Sequence, residues 1–128
     1  MEVIARNPTK DIYAATPDYI HALEVRNPSR FLYVAGTMGL DKSGAAGKTL
    51  DEQLTLIWAN LRAILASANM TVDNIVRITS YLRDPAYAEA NQNARITALK
   101  GRAVPTTAIV VQTLVPDWLV ELEIVAAG

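Results

Sequence analysis

The chain contains no cysteine. Disulfides, thiol nucleophiles and thiolate metal sites are therefore excluded, and a reducing compartment is compatible, so a cytoplasmic location is expected. There is one histidine, His21, which excludes a multi-histidine zinc site. Aromatic residues make up only 6%, too few to suggest a platform on which nucleic-acid bases stack. Neither sign of charge dominates: 12 Lys and Arg face 13 Asp and Glu, for a net charge of -1. No basic field draws in nucleic acid. No apolar run is long enough to span a bilayer, and the opening stretch MEVIARNPTKDIYAAT lacks the basic start and apolar core of a secretory signal. No membrane association is expected. Neither GxGxxG nor a Walker motif is present.

What the chain has is an ordinary globular composition, 51% hydrophobic and 20% charged over 128 residues, which fits one domain spanning residues 1–128. Folding at this length hides roughly two-thirds of the unfolded surface. DYIHALEVR (18–26) and FLYVA (31–35) read as strands joined by the turn Asn27-Pro28-Ser29, a hairpin. DKSGAAGK (41–48) reads as a loop. Thr49 and Glu52 stand at capping-box spacing, and Leu50, Leu54, Ile57, Trp58, Leu61, Ile64 and Leu65 follow as one helical stripe. That helix should stop near Ala68 and Asn69. Asn74 to Leu82 alternates as a strand, with Val76, Ile78, Ser80 and Leu82 on one face and Ile75, Arg77, Thr79 and Tyr81 on the other. Asp84-Pro85 supplies an N-cap and an N1 proline for a second helix reaching about Lys100, with a thin stripe of Tyr87, Ala90, Ala94 and Ala98. Thr106 to Leu114 and Trp118 to Ala126 read as the last two strands, separated by the turn Val115-Pro116-Asp117.

Two helices cover only one face of such a sheet. Yet AIVV (108–111) is apolar at every position, the pattern of a strand buried on both faces. A lone protomer would leave a large apolar patch in water. Self-association through the open face, closed as a ring, is the simplest remedy.

YVAGTMGLD (33–41), DEQLTLIWANLRAILASANMTVDNIVRITSYLRD (51–84), AYAEANQNAR (86–95) and VPTTAIVVQTLVPDWLVELEIVA (104–126) together resemble the YjgF/Rid family, the reactive intermediate deaminases once called L-PSP endoribonucleases. The likeness covers about Pro17 to Ala126. It implies an α+β, chorismate-mutase-like two-layer sandwich. A mixed sheet of five to six strands would carry two helices on one face, in a homotrimer with clefts between subunits. It also implies cofactor-free hydrolysis of small imines and enamines, with no metal. Carried over by position, the family's first-strand tyrosine falls on Tyr19 and the water-orienting glutamate of the last strand on Glu121. The carboxylate-binding arginine falls on Thr106. Ala35-Gly36-Thr37 stands for the usual Ser-Gly-Gln, and Ala108 for a small polar residue.

The exchange at Thr106 matters. A charge-assisted hydrogen bond contributes about 1.5–3 kcal/mol, and a threonine offers one neutral bond. Arg102, four residues upstream, is the nearest substitute; Arg26, Arg30 and Arg77 are less well placed. Glu121 and Tyr19, with His21 as proton shuttle or anion binder, form the candidate catalytic set. Gly36, Thr37, Thr106, Thr107, Arg102 and Asn91 form the candidate substrate-binding set. Each has a plainer reading. Glu121 and Glu123 would equally pair with Arg77. Tyr19 would equally be core with its hydroxyl at an edge, and His21 an interface hydrogen-bonder. Thr106 and Thr107 simply suit a strand, and Asn91 suits a helix cap or a subunit contact. Three functions follow: a hydrolase acting on an imine, enamine or related C–N metabolite; a non-catalytic trimer binding a small molecule or a partner protein; and, last, RNA cleavage.

Overall fold

A threonine at position 49 starts the longest element. Its hydroxyl accepts from the Glu52 amide at 3.1 Å, and α1 runs from Leu50 to Ser67. Glu52 returns a bond to the amide of Lys48, one residue before the cap, so the reciprocal pair is shifted by one from the capping-box pattern. The computed structural model describes all of residues 1–128. The remaining elements are β1 (Glu2–Arg6), β2 (Ala22–Arg26), β3 (Phe31–Met38), β4 (Ile75–Leu82), α2 (Ala88–Ala98), β5 (Thr106–Val110) and β6 (Val120–Ala127). Asp84 caps a short 3-10 turn, Pro85–Tyr87, that leads into α2. Lys100 and Gly101, at φ 53° and 80°, turn the chain out of it.

The six strands divide into a four-stranded mixed sheet, ordered β3-β6-β4-β5, and a separate ribbon of β1 and β2. Only β4 and β5 run parallel, joined by the crossover through α2. Both helices lie on one face. Ile57, Leu61 and Leu65 of α1 pack with Val34, Ile78, Leu122 and Ile124 of the sheet into one core. Gln53 is a polar pin within it: its Nε2 donates to the carbonyls of Gly47 and Asp117, and its Oε1 accepts from the Leu119 amide. A buried amide satisfied on both ends fixes the entry of β6 against α1. The other face carries Tyr33, Arg77, Thr79, Tyr81, Thr107, Ile109, Glu121 and Glu123, and no helix covers it.

Three sequence expectations are corrected. The hairpin of residues 18–26 with 31–35 does not form: β2 pairs with β1 and β3 pairs with β6. Asn27, at φ 52°, turns the chain away, and the amides of Ser29 and Arg30 both donate to the Gly128 carbonyl, anchoring β3 beside the end of β6. In β4 the register shifts between Ile75 and Arg77, so Ile75 joins Ile78 in the core instead of facing Arg77's side; one extra residue in a strand reverses the alternation beyond it. The thin stripe of the second helix is realised, with Ala98 in the core and Tyr87, Ala90 and Ala94 packed against it, and α2 also buries Asn91 and Arg95. Finally, β5 ends at Val110 because Arg83 bonds both the carbonyl and the hydroxyl of Thr113 and bends the chain back. β5 is the edge strand of the sheet, and Ala108, Ile109 and Val110 are exposed in the protomer, the wet apolar patch expected of a lone chain.

Candidate functional site

Strand β6 alternates Val120, Leu122 and Ile124 into the core with Glu121 and Glu123 on the uncovered face. The two glutamates differ. Glu123 accepts a hydrogen bond from the Tyr81 hydroxyl. That bond, with burial and the charges of Glu123 and Glu121, pushes the Tyr81 hydroxyl above its ordinary value. Glu121 takes part in none of the chain's four ion pairs, which use Glu2, Glu24 and Asp18. Arg77 does not reach either glutamate; its Nη2 donates to Thr107 at 3.4 Å. Glu121 instead lies against bare backbone: a Cβ built at Gly36 would fall 2.0 Å from its Oε1. The irregular register of β3 between Val34 and Thr37 brings that glycine under the carboxylate. Thr37 turns inward, buried, and donates to the Ala35 carbonyl at 3.0 Å.

A second group assembles at the opposite edge. Tyr19 makes a parallel bridge to Val104. This places it beside the start of β5 and the side of α2 that carries Asn91 and Arg95, where a cleft of about 420 Å³ is lined by Asp18, Tyr19, Asn91, Arg95, Thr106 and Ala108. Thr106 donates its hydroxyl proton to the Val104 carbonyl at 2.9 Å. Asn91 is 3% exposed, and its Oδ1 has no hydrogen-bond partner. Arg95 is the one cation in the lining. Its Nη1 and Nη2 donate to the carbonyl and carboxylate of Asp18 at 2.7 and 2.8 Å, and its Nε is buried and unpartnered. Burial works to raise the Asp18 carboxyl, but hydrogen bonds from Thr16 and Arg95 and the Arg95 charge outweigh it and hold the group below its ordinary value. The pair is thus ionised and self-neutralising.

The remaining candidates separate. His21 sits on the ribbon side of Tyr19, ring centroids 5.9 Å apart and edge to face. Its Nε2 lies 2.9 Å from the Tyr13 carbonyl, a group that only accepts, so Nε2 carries the proton and Nδ1 is the free acceptor in the neutral ring. Arg102 is held away from the Tyr19 cleft: its Nη2 donates to the carbonyls of Val72 and Ile75 at 2.7 and 2.9 Å, and burial lowers its basicity. The structure therefore brings Tyr19, Asn91 and Thr106 together with His21 alongside. It brings Gly36 to Glu121, and it leaves Arg102, Thr37 and Thr107 apart from both groups. Sequence reading missed Asp18 and Arg95. Arg95 follows Asn91 by four, one helical turn on the same face, and that spacing was the available signal. No three acidic or imidazole side chains cluster to hold a metal.

The family model described as Endoribonuclease L-PSP matches residues 9–128. A RutC family protein of Pyrococcus abyssi is 32% identical over 111 residues, 84% of each chain. YjgH of Escherichia coli, another RutC family protein, is 37% identical over 54 residues, 42% of this chain and 41% of that one. Among solved structures, YyfB of Yersinia pestis, a Rid family protein of unknown function, superposes with a TM-score of 0.86 over all of both chains at 28% identity.

Proposed function

Because the chain belongs to the endoribonuclease L-PSP (YjgF/Rid) family, we propose that it is a cofactor-free hydrolase acting on an imine, enamine or related C–N metabolite. Its clefts form where subunits of a homotrimer meet. The observation that carries this reading is Glu121: a carboxylate with no ion-pair partner, held over backbone that Gly36 leaves bare. An ionised carboxylate with free lone pairs holds and polarises a water. That water adds to the C=N carbon while its proton passes through Glu121 to the nitrogen. The carbinolamine then expels ammonia and leaves a carbonyl. Nitrogen departs only when protonated, and the carbinolamine hydroxyl gives up that proton by way of Glu121; neutral His21, with its Nε2 proton on the Tyr13 carbonyl, offers only an accepting Nδ1. In one chain Glu121, on the inner strand β6, and the Tyr19–Thr106 cleft, at the β5 edge, occupy different faces of the sheet. The trimer supplies the facing half: Glu121 of one subunit meets the cleft edge of the next.

The test is ammonia release from freshly generated imines. Glu121→Gln should lower the rate by about 100-fold or more; a rate indifferent to that change overturns the reading. The same separation of Glu121 from the cleft supports a second reading, a trimer that binds a small molecule without turnover. That reading predicts thermal stabilisation by ligand, no ammonia from any imine, and no effect of Glu121→Gln.

A further inference from the structure

Glu121 and Glu123 stand two residues apart on one face of β6, and their contacts cross. On the β4 side Tyr81 is level with Glu121, and Thr79 with Glu123. Yet the Tyr81 hydroxyl donates along the diagonal, to Oε1 of Glu123. On the β3 side Val34 is level with Ile124 and Thr37 with Leu122, so Ala35 and Gly36 fall in the irregular stretch beside Glu123. Yet the side chain against Gly36 is that of Glu121, which reaches along the other diagonal. The three atoms nearest a Cβ built at Gly36 are its Oε1, Cδ and Cγ, at 2.0, 2.9 and 3.2 Å. Diagonal neighbours in a sheet are about 7–8 Å apart, within reach of an aromatic or a long side chain. All four residues belong to one sheet of one chain, so the crossed arrangement is complete within it.

Two carboxylates this close compete for the same space. A loose Glu123 lies nearer in register to the bare backbone than Glu121 does, and its charge there would push Glu121 away. The Tyr81 hydroxyl prevents this, because a bond from a hydroxyl to a carboxylate is shorter and stronger than a neutral one. The hydroxyl keeps its proton at neutral pH: the bond to Glu123, burial and the charges of both glutamates raise it above its ordinary value. Arg77, on the same face, bonds Thr107 instead. We propose that Tyr81 is a positioning residue: by holding Glu123 on the β4 side it reserves the bare backbone at Gly36 for the Glu121 carboxylate. The proposal rests on the reading of Glu121 as the group that holds the water. It deepens that reading by stating why one of two neighbouring glutamates is the base and the other is not.

The experiment uses Tyr81→Phe, which keeps the ring and removes the hydroxyl. The full protein is crystallised and assayed for ammonia release from freshly generated imines. In the variant's crystal structure Glu123 should leave the β4 side and Glu121 should be displaced from Gly36. The rate should follow: kcat falls about tenfold with KM unchanged, because the base is misplaced while substrate binding is untouched. Removing the loose carboxylate as well, in Tyr81→Phe/Glu123→Ala, should bring kcat back to within about threefold of the unaltered protein. Lost packing alone predicts the opposite, a double variant at least as slow as the single one. Glu121 still seated at Gly36 in the Tyr81→Phe crystal overturns the proposal, and so does a double variant no faster than Tyr81→Phe. If the unaltered protein releases no ammonia from any imine, the hydrolase reading falls, and the Tyr81→Phe crystal structure still decides for or against Tyr81. Displacement of Glu121 there, with ammonia release indifferent to Glu121→Gln, removes the water-holding role and leaves the positioning intact.

Discussion

Gly36 is a spatial requirement of Glu121. A methyl group there would fall 2.0 Å from Oε1 and 2.9 Å from Cδ. The clash is with the far end of a flexible side chain, so the carboxylate moves while the strand stays. Gly36→Ala should therefore cut ammonia release by about 100-fold with little change in the thermal midpoint. The paired readout separates displacement of the carboxylate from general damage. Asp18 is the opposite case, a residue whose removal is a stability event. It leaves Arg95 buried without its counter-charge, and Asp18→Asn should cost about 3 kcal/mol in denaturant unfolding at neutral pH. The folded carboxyl titrates below its ordinary value of 3.8. Its contribution is therefore complete above the unfolded value and disappears as pH falls through the folded one, so the gap between the two proteins should close in acid. At this scale the family likeness named Tyr19 and Thr106 as parts of one site, while Asn91 was singled out only as a polar residue of the second helix; that all three line one cleft needed the structure. The sequence did not disclose the ion pair, whose members are 77 residues apart with no local pattern linking them.

Local chemistry predicts individual elements well and their partners poorly. The stripe on α1 and the cap at Thr49 are short-range features, and both are realised, with the return bond displaced to Lys48. The pairing of β2 with β1 depends on a strand of alternating charge whose complement, Arg6 with Glu24 and Glu2 with Arg26, is visible only once the register is known. The bulge in β4 was illegible for a similar reason: the residue that breaks the alternation looks like any other. Contacts between elements also set limits on single positions. A Cβ at Gly39 would lie 2.5 Å from both Cα and O of Gln53. These are backbone atoms of α1, so nothing flexible can yield. Gly39→Ala should destabilise the fold by about 1–3 kcal/mol, measured by denaturant unfolding, by prising β3 from α1 and disturbing the bonds of Gln53.

The whole protomer presents an unfinished surface. Tyr33, Ile109 and Val110 are 75%, 45% and 54% exposed on a sheet with helices on one side only, and no helix is long and apolar enough to cross a membrane. In the proposed trimer this surface is shared among copies. Ile109→Glu should yield a folded monomer in sedimentation, with ammonia release abolished because each site needs two chains; a trimer that survives the change would move the interface elsewhere. The open face was legible from the count of helices against strands. That β5 stands at the rim of one chain was not, because a wholly apolar strand reads alike whether its second neighbour is its own or another's. The strand order β3-β6-β4-β5 has a consequence for biogenesis. The centre of the sheet is filled by the segment translated after all its other strands. On the ribosome, β3 and the β4–β5 pair wait as two halves with nothing to join them, and closure must await release of Val120–Ala127. Chains stalled before that point would be exposed to rescue by chaperones or to degradation, with no partly finished sheet to shelter them.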